Sequence, residues 1–318
     1  MSMSLTSAAS DHGYTGNNVL VTGGAGFIGS HLVDALVQAN SVTVLDNRSS
    51  GKLANIHPRA EFVEGDIRDR ETVRSAMEDV DAVFHQAGMV SVEQSVAEPV
   101  ESQSVNVDGT VTVLDCARQQ DVRVVAASSA AVYGHPDTVP VPETAKLTPT
   151  SPYGIDKLAL DHYTRRFAGV YDLPTVVLRY FNVYGPRQSA SDYSGVITTF
   201  LQQARHGEPL TVHGDGSQTR DFVHVSDVVR ANLLAATTEH TGEAFNVGTG
   251  TGTSVDELSH LVREFVASDA GVTRVDSRDG DIDRSRADIE KAAGLLGFEA
   301  QVGLEEGLET LLPVEEMQ

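Results

Sequence analysis

Gly23-Gly24-Ala25-Gly26-Phe27-Ile28-Gly29 follows the apolar run Asn18–Thr22 directly and begins the helical pattern Phe27–Gln38. The spacing Gly24-x-Gly26-x-x-Gly29 between a strand and a helix is typical of a loop that binds a dinucleotide pyrophosphate. Its early glycines permit a tight turn, Gly29 lets helix and strand pack closely, and the helix N-terminus offers unpaired N–H groups. A flexible turn can also contain these glycines, but the strand–turn–helix context favours the binding loop. The predicted cofactor contacts in this loop are Gly23, Gly26, Phe27, Ile28 and Gly29.

Asp46 ends the second apolar run, and its side chain bears on which dinucleotide is bound. A carboxylate there can accept hydrogen bonds from both ribose hydroxyls of the adenosine and repels a 2′-phosphate, which favours NAD over NADP. Arg48 weakens that preference slightly, and a capping role for Asp46 fits the spacing less well. Asp66-Ile67 falls where the adenine is expected, and the small residues Ala87-Gly88 allow backbone close to the cofactor. Further cofactor contacts are predicted at Asn47, Ser49, Ser50, Gly51, Gln86, Ser128, Tyr153 and Lys157.

Apolar runs alternate with helical patterns over the first 180 residues. Buried runs separated by helices are typical of a parallel sheet covered on both faces. We therefore predict an α/β fold with a doubly wound, Rossmann-like NAD-binding domain over 18–181, preceded by a flexible tail over 1–17. A smaller C-terminal α+β lobe over 182–318 is expected to bind the substrate, with a part near 222–248 able to pack back on the first domain. The predicted strands are Asn18–Thr22, Val42–Asp46, Phe62–Asp66, Ala82–Gln86, Val122–Ser128 and Thr175–Phe181. The predicted helices are Phe27–Gln38, Glu71–Met77, Val105–Gln119, Tyr153–Tyr171, Val196–His206, Ser226–Thr237, Val255–Ala267 and Asp288–Leu296.

Tyr153-x-x-x-Lys157 is the predicted proton-transfer pair. Residues four apart share one face of a helix, so the ammonium can lie beneath the phenol. A phenol has a pKa near ~10, and a neighbouring Lys⁺ together with a cationic nicotinamide favours the phenolate. Ser129, at the end of a strand, is expected to hydrogen-bond the substrate oxygen and share its proton with Tyr153. This spacing also occurs on solvated helix faces, but behind Ser128-Ser129 and a dinucleotide loop we assign catalysis to Ser129, Tyr153 and Lys157.

Seven motifs spread from Val19 to about Gly297 belong together. They are Gly23–Gly29, Asp66-Ile67, His85–Gly88, Ser128–Gly134, Tyr153–Lys157, Arg179–Asn182 and Arg220–Val225. In combination they resemble the extended short-chain dehydrogenase/reductases of the NAD-dependent epimerase/dehydratase family. Within it the chain is most similar to UDP-hexose 4-epimerases of the UDP-glucose and UDP-N-acetylglucosamine type. The resemblance implies catalysis by Ser129, Tyr153 and Lys157, with Asn106 and Phe181 behind the cofactor.

The resemblance also assigns substrate contacts in the second lobe. It implies that Asn182 and Arg220 contact the diphosphate, that Arg278 holds a phosphate, and that Asp281 holds the ribose. A guanidinium offers a planar, always-charged fork that suits a diphosphate. Surface ion pairs are the alternative for arginines in this acidic chain; we favour binding for Arg220 and Arg278 and leave Arg187 open. The positions expected near the uridine are Val196, Thr211 and His213.

Ala130, Ala131 and Ser285 bear on the reaction and the sugar. The dehydratases and decarboxylating relatives resemble one another in having an acidic residue after the catalytic Ser or Thr, whereas Ala130 and Ala131 have no acid–base capacity. Epimerisation at C4 through a transient 4-keto sugar remains. Ser285 occupies the position where epimerases restricted to unsubstituted hexoses resemble one another in having a bulky Tyr. A Ser leaves room for an N-acetyl group, which predicts UDP-GlcNAc/UDP-GalNAc besides UDP-Glc/UDP-Gal, unless Ser285 is an ordinary loop residue.

Two alternative functions stay open. A UDP-glucuronate 4-epimerase or another nucleotide-sugar oxidoreductase requires a basic residue at the C6 side of the pocket, which the sequence does not locate. A non-catalytic NAD-binding regulatory protein has no need of a proton relay, so the retention of Ser129, Tyr153 and Lys157 argues against it.

The charge balance of 45 acidic against 23 basic residues, a net −22, limits the partners. A strongly negative surface disfavours nucleic acid and anionic membranes and is consistent with a halophilic source, where salt screens charge repulsion. Cys116 is the only cysteine, so no internal disulfide forms and a cytoplasmic location is expected. The polar N-terminus argues against a signal peptide, and we assign no metal ligands. By resemblance, a homodimer is expected to pair through Val105–Gln119 and Tyr153–Tyr171.

Overall fold

A seven-stranded parallel sheet forms the centre of the computed structural model, which describes residues 9, 13–188, 195–277 and 282–312. Its strands, numbered in chain order, are β1 (Asn18–Thr22), β2 (Ser41–Asp46), β3 (Glu61–Glu64), β4 (Ala82–His85), β5 (Arg123–Ser129), β6 (Thr175–Tyr180) and β11 (Glu243–Val247). Their order across the sheet is β11-β6-β5-β4-β1-β2-β3, so the direction of winding reverses between β1 and β4. Open parallel sheets bind ligands at such a switch point, outside the carboxyl ends of the strands. The prediction of a doubly wound α/β fold is confirmed. The other strands of the described residues are β7 (Asn182–Tyr184), β8 (Leu210–His213), β9 (Thr219–Arg220), β10 (Phe222–His224), β12 (Thr253–Ser254) and β13 (Val272–Val275).

Helices cover both faces of this sheet. On one face Phe27–Leu36 and Val225–Thr237 bury their apolar side chains against the strands. On the other face Arg70–Ala76, Gly109–Gln120 and Pro152–Tyr171 do the same. Because helices bury both faces of the sheet, its strands are continuous apolar runs in the sequence rather than alternating patterns. The remaining helices are Val92–Ala97, Pro99–Gln103, Val196–Arg205, Val255–Phe265, Glu290–Leu296 and Leu304–Glu309.

Several elements differ from the sequence prediction. The helices Val92–Ala97 and Pro99–Gln103 were not predicted, because each is too short to establish a helical period. The helix expected from residue 105 begins instead at Gly109, after a π-helical turn over Ser104–Asp108. The other predicted helices differ from the observed ones by one or two residues at their ends, as helix ends usually do.

Small sheets and an apolar core build the part of the chain that follows β6. β7 pairs with β10, β8 with β13, and β9 with β12. Helices Val196–Arg205 and Val255–Phe265 pack on this core through side chains such as Phe200 and Leu258. Ser254 accepts from the backbone N–H of Glu257, whose side chain accepts from Ser254 in return. This reciprocal capping fixes where the second of these helices begins.

The chain returns to the main sheet after β10. Helix Val225–Thr237 packs against β5 and β6, and β11 pairs in parallel with β6 as an edge strand. The segment near 222–248 therefore completes the sheet that begins with residue 18, although it lies beyond residue 181 in sequence.

The N-terminal tail predicted over 1–17 differs from the structure at its end. Ala9 and Tyr14 are buried, and the Tyr14 ring meets Phe84 of β4 edge to face with centroids 5.9 Å apart. The aromatic ring of Tyr14 packs in the core and fixes this segment. The sequence did not predict this, because the residues around Tyr14 are polar. Within the ranges that the structure describes, no helix is both long and apolar enough to cross a membrane.

Candidate active site

The glycine loop after β1 lies against the backbone that follows β4. Gly23 has φ +72°, and a Cβ there would lie 2.6 Å from the backbone nitrogen of Ala87. A Cβ on Gly29 would overlap the carbonyl oxygen of Gly23. Because the obstructing atoms belong to the backbone, no rotamer change relieves the overlap. Both glycines are therefore required for a loop that leaves the switch-point crevice open to a pyrophosphate.

Asp46 is buried at the carboxyl end of β2 and is oriented by two backbone N–H groups. Its Oδ2 accepts from Ala25 N at 3.0 Å and its Oδ1 from Arg48 N at 2.7 Å. Each carboxylate oxygen can accept a further hydrogen bond, so both ribose hydroxyls of an adenosine can be bound. The Arg48 guanidinium donates to Glu64 Oε1 at 2.6 Å instead of approaching Asp46. The residues therefore fit NAD.

Asp66 and Ile67 follow β3, where the adenine is predicted. Asp66 accepts from Arg68 through both oxygens and from Asn47 Nδ2 at 3.1 Å. The hydrogen bond from the Arg68 side chain lowers the pKa of Asp66 to about 2, against the opposing effect of burial. Ile67 packs closely on Gly109: a Cβ on Gly109 would lie 2.5 Å from the Ile67 Cδ1 atom. Asp66 is thus a fixed anion at this edge of the crevice, and its contact with adenine stays a prediction.

Asn106 fixes the segment that follows β4. Its Oδ1 accepts from Met89 N at 2.9 Å, and its Nδ2 donates to Met89 O at 3.1 Å. It lies in the π-helical turn Ser104–Asp108, a kind of distortion found frequently at functional sites. A Cβ on Gly88 would lie 2.7 Å from Asn106 Oδ1 and 3.5 Å from Lys157 Nζ. Gly88 therefore separates Asn106 from Lys157 with no room for a side chain.

Other predicted cofactor residues have partners of their own. Gln86 donates through Nε2 to Asn232 Oδ1 at 3.0 Å and accepts from Tyr180 Oη at 3.3 Å, so its side chain is fixed in place. Phe181 is buried beside Tyr133, with ring centroids 6.4 Å apart. Ser49 N donates to Asn47 Oδ1. A Cβ on Gly51 would meet Ala25 at 2.7 Å, while Ser50 is exposed.

The helix Pro152–Tyr171, called the catalytic helix below, presents Tyr153 and Lys157 on one face. Ser151 caps it by accepting from Gly154 N at 3.1 Å, and Tyr153 N donates to Ser95 Oγ at 3.0 Å. Lys157 Nζ lies 6.0 Å from the centroid of the Tyr153 ring and donates to Ala127 O at 2.9 Å. The cap and the buried ammonium fix the first turn of the helix.

Burial dominates the electrostatics of this pair. It lowers the pKa of Lys157 to about 8, while the Asp156 carboxylate acts in the opposite direction. Burial also raises the pKa of Tyr153, and a hydrogen bond with Ser129 lowers it. The net direction for Tyr153 is opposite to the one predicted from its neighbouring Lys⁺, because desolvation penalises the phenolate more than the hydrogen bond favours it.

Ser129 ends β5 and faces the catalytic helix. Its Oγ accepts from Ala131 N at 3.1 Å and so caps the short turn Ala130–Tyr133. The buried Ser128 hydroxyl donates to Lys157 O at 3.5 Å. Ser129, Tyr153 and Lys157 therefore meet where the carboxyl end of β5 lies beside that of β4.

The predicted substrate residues of the second lobe form two groups. Asn182 donates through Nδ2 to Asp221 O at 3.2 Å, Arg220 donates to Thr219 O and Ile282 O, and the buried Ser285 donates its N–H to Thr219 O at 3.1 Å. Asn182 begins β7, Arg220 ends β9, and Ser285 lies beside Thr219 of β9. Of the second group, Val196 begins a helix, Thr211 is held by Gln203, and the His213 ring lies 3.2 Å from Asp276 O. Arg278 and Asp281 lie outside the described residues.

Asp221 and Arg187 take roles that the sequence did not assign. Asp221 is buried and accepts from the N–H groups of Thr249, Gly250 and Ala287. It thereby joins β9 and β10 to the loop after β11, and the only signal was an acidic residue inside an apolar motif. Arg187, left open above, donates to Asp34 at 2.6 Å as a half-exposed ion pair.

The sheet order, the glycine loop and the Ser–Tyr–Lys group together define an NAD-dependent enzyme of the extended short-chain dehydrogenase/reductase type. The family model described as "NAD dependent epimerase/dehydratase family" matches residues 19–248, more than half of the chain. The chain belongs to this family, which confirms the resemblance inferred from its motifs and NAD as the cofactor.

Named relatives extend along nearly the whole chain. A putative UDP-glucose 4-epimerase of Methanocaldococcus jannaschii is 40% identical over 298 residues, 92% of this chain and 97% of its own. The UDP-glucose 4-epimerase of Thermotoga maritima, solved with UDP-glucose, is 42% identical with a TM-score of 0.89 and covers 92% and 96%. The UDP-N-acetylglucosamine 4-epimerase of Methanobrevibacter ruminantium, in complex with UDP-N-acetylmuramic acid, is 36% identical with a TM-score of 0.90 and covers 95% and 100%.

Proposed function

We propose that the protein is an NAD-dependent UDP-hexose 4-epimerase that acts on UDP-Glc/UDP-Gal and also on UDP-GlcNAc/UDP-GalNAc. The observation that carries the proposal is the meeting of Ser129, Tyr153 and Lys157 beside the cofactor crevice. The names of the relatives support the substrate class. We assign residues 18–181, together with 222–248, to cofactor binding. The residues of the second lobe that we assign to the nucleotide sugar are Asn182, Val196, Thr211, His213, Arg220 and Ser285.

The residues divide the proton chemistry between them. Ser129 hydrogen-bonds the C4 oxygen, and the Tyr153 phenolate, which Lys157 stabilises from below the ring, takes the proton of the C4 hydroxyl. NAD, when bound, supplies the acceptor and donor for hydrogen at C4 and a positive charge beside the phenol. Tyr153 returns the proton when the 4-keto sugar is reduced from its other face. Because each step is the reverse of another, one phenol serves both directions.

Ala130 and Ala131 favour epimerisation over dehydration, the other chemistry in the family description. Ala131 donates its backbone N–H to Ser129, and neither methyl group can move a proton. Elimination across C5 and C6 needs an acid and a base besides the Tyr153 phenol. This turn does not provide them.

Incubation of the protein with UDP-glucose, UDP-GlcNAc and UDP-glucuronate in separate reactions, with products identified by NMR, tests the proposal. We expect UDP-galactose and UDP-GalNAc to appear, each to an equilibrium that is also reached from the other side. A 4-keto-6-deoxy sugar contradicts epimerisation, and turnover of UDP-glucuronate alone supports the glucuronate epimerase instead. A protein that binds NAD but converts none of the three is the regulatory alternative.

Ser285→Tyr is expected to remove activity on UDP-GlcNAc while leaving that on UDP-glucose. The Ser285 backbone is held by Thr219 beside Arg220, and a tyrosine ring projecting from this buried position fills the space proposed for the N-acetyl group. A pocket that excludes a substituent of this size lowers kcat/KM for UDP-GlcNAc relative to UDP-glucose by roughly 10- to 200-fold. The ratio of kcat/KM for the two substrates measures it, with Ser285→Ala as the control that should keep the wild-type ratio. An unchanged ratio in Ser285→Tyr rejects this position for the sugar.

Asp156→Asn is expected to move the alkaline limb of the pH–rate profile to lower pH. The active Lys157 is the cation, so the rate falls as pH rises through its pKa of about 8. Asp156 raises that pKa through its charge, and its removal therefore makes Lys157 lose its proton earlier. Ser102→Ala is the control, because it keeps the Asp156 charge while it deletes the 2.6 Å hydrogen bond to Asp156 and a 3.4 Å one from Asn106 Nδ2. Identical alkaline limbs in wild type and Asp156→Asn contradict the role of Lys157.

We also propose a homodimer that covers an exposed apolar patch. Val96 and Val100 of the two short helices after β4 are 62% and 80% exposed, and Ile155 of the neighbouring catalytic helix is 56% exposed. Exposed apolar side chains that lie together usually mark an interface. Sedimentation is expected to give twice the chain mass for wild type and a monomer for Val100→Asp. A monomeric wild type excludes this state.

A further inference from the structure

Arg179 is a charged side chain buried at the end of an apolar strand. It is 1% exposed and follows Val176, Val177 and Leu178 in β6. Its Nε donates to Asp161 Oδ2 at 2.8 Å and its Nη2 to Asp161 Oδ1 at 3.2 Å. Asp161, itself fully buried, lies four residues after Lys157 on the catalytic helix. Arg179 is therefore hydrogen-bonded to the helix that carries Tyr153, one turn away from the Lys157 ammonium.

The same guanidinium also holds the segment that carries Ser129. Its Nη1 donates to Tyr133 Oη at 2.8 Å and to Glu143 O at 3.1 Å. Tyr133 ends the turn that Ser129 caps, four residues further along. The Tyr133 hydroxyl donates to Asn246 Oδ1 at 2.6 Å, and Asn246 Nδ2 donates to Val141 O at 2.8 Å. The hydroxyl is thus fixed from two sides.

Stability alone gives no reason for this arrangement. Burying an ion pair costs desolvation that its attraction repays only in part, and apolar residues of similar volume often serve stability as well or better. Fully bonded buried networks do impose one arrangement on the groups that they join. Here the groups are the strand end with Ser129 and the helix with Tyr153 and Lys157.

We propose that Arg179 is a positioning residue for catalysis, which acts through Tyr133 and Asp161 to fix the Ser129 hydroxyl against the Tyr153 phenol. The proposal rests on the function proposed above. Catalytic groups must be held in the productive geometry, since a misplacement of about 1 Å costs on the order of 10²-fold in rate. Arg179 touches neither catalytic side chain in the contacts above, so its effect is geometric.

Tyr133→Phe tests the proposal with the smallest change, because it deletes one hydroxyl and leaves the Arg179–Asp161 pair. We expect kcat to fall roughly 10- to 100-fold, while KM stays within about twofold because ground-state binding is untouched. The acid limb of the pH–rate profile should move to higher pH, since a looser hydrogen bond from Ser129 no longer lowers the pKa of Tyr153. Arg179→Lys, which keeps the charge but not the fork, should show the same signature if it folds.

Tyr184→Phe is the matched control. Tyr184 is also 1% exposed, and its hydroxyl donates to Gly303 O and Leu304 O in the second lobe. Tyr184→Phe should keep the wild-type kcat and the wild-type acid limb of the pH–rate profile, although its loss of thermal stability should be similar to that of Tyr133→Phe. If Tyr133→Phe and Tyr184→Phe behave alike, or if Tyr133→Phe changes only the thermal stability, the positioning role is rejected.

A titration that needs no turnover separates this inference from the proposed function. Wild type and Tyr133→Phe are each titrated with NAD bound, and so are the same two proteins with Tyr153→Phe added. Subtracting the absorbance of the protein that lacks the Tyr153 hydroxyl leaves the phenolate absorbance of Tyr153. A higher Tyr153 pKa in Tyr133→Phe than in wild type supports the positioning role even if no UDP-sugar is converted. An unchanged value overturns it, whatever the substrate proves to be.

Discussion

Tyr153→Phe is expected to lower UDP-hexose turnover by roughly 10²–10⁴-fold, the usual contribution of a positioned acid or base, with NAD still bound. The substitution removes only the hydroxyl that exchanges a proton with the C4 oxygen. The ring stays beside Lys157, whose bond to Ala127 O does not involve the phenol. The predicted cofactor residues Gly23, directly after β1, and Asp46, at the end of β2, lie on strands other than β5, which meets the catalytic helix.

Tyr163→Phe provides the control on the same helix. Tyr163 is 45% exposed, so loss of its hydroxyl changes neither burial nor the site. Turnover is followed by NMR, and bound NAD is quantified after the protein is denatured. Wild-type turnover in Tyr153→Phe excludes the phenol as the proton carrier. Loss of NAD together with turnover assigns Tyr153 to cofactor retention instead.

The sequence predicted most of the sheet because the relevant signal is local. Each strand of the cofactor domain is a short apolar run, and the glycine loop identifies which run is β1. The edge strand Glu243–Val247 lies more than sixty residues beyond its neighbour β6. No local pattern states that it pairs there, so the sequence left only an approximate segment near 222–248.

The sequence predicted the candidate catalytic residues, but not the buried hydrogen bonds that hold the surrounding segments in place. Tyr153 and Lys157 were found from their spacing, because four residues return a helix to the same face. Arg179 and Asp221 stood inside the quoted motifs, yet their partners Asp161 and Ala287 are distant in sequence. The direction of the Tyr153 pKa was missed for a related reason. Desolvation depends on every element packed around a group, whereas a neighbouring charge can be read from the spacing alone.

Gly29→Ala is expected to abolish NAD binding, with at least about a hundredfold loss of affinity, and to destabilise the fold by about 1–3 kcal/mol as overpacking does. The added methyl would overlap the Gly23 carbonyl and lie 2.9 Å from the Gly24 Cα. Because all of these atoms are backbone, the loop itself must shift. Gly23 O also accepts from Gly26 N at 3.1 Å, so that movement disrupts the turn predicted to face the pyrophosphate.

Gly294→Ala separates this steric effect from any general effect of replacing a helical glycine. Gly294 lies in Glu290–Leu296 with no atom within 4 Å of an added Cβ. Alanine there should stabilise the protein by roughly 0.5–1 kcal/mol, because glycine loses more freedom on folding. Calorimetric titration with NAD and urea unfolding give the two quantities for both variants. If Gly29→Ala binds NAD as wild type does, the cofactor does not lie against this loop. Since oxidation of the sugar at C4 depends on NAD in the same crevice, the proton chemistry proposed for Tyr153 would then lose its basis as well.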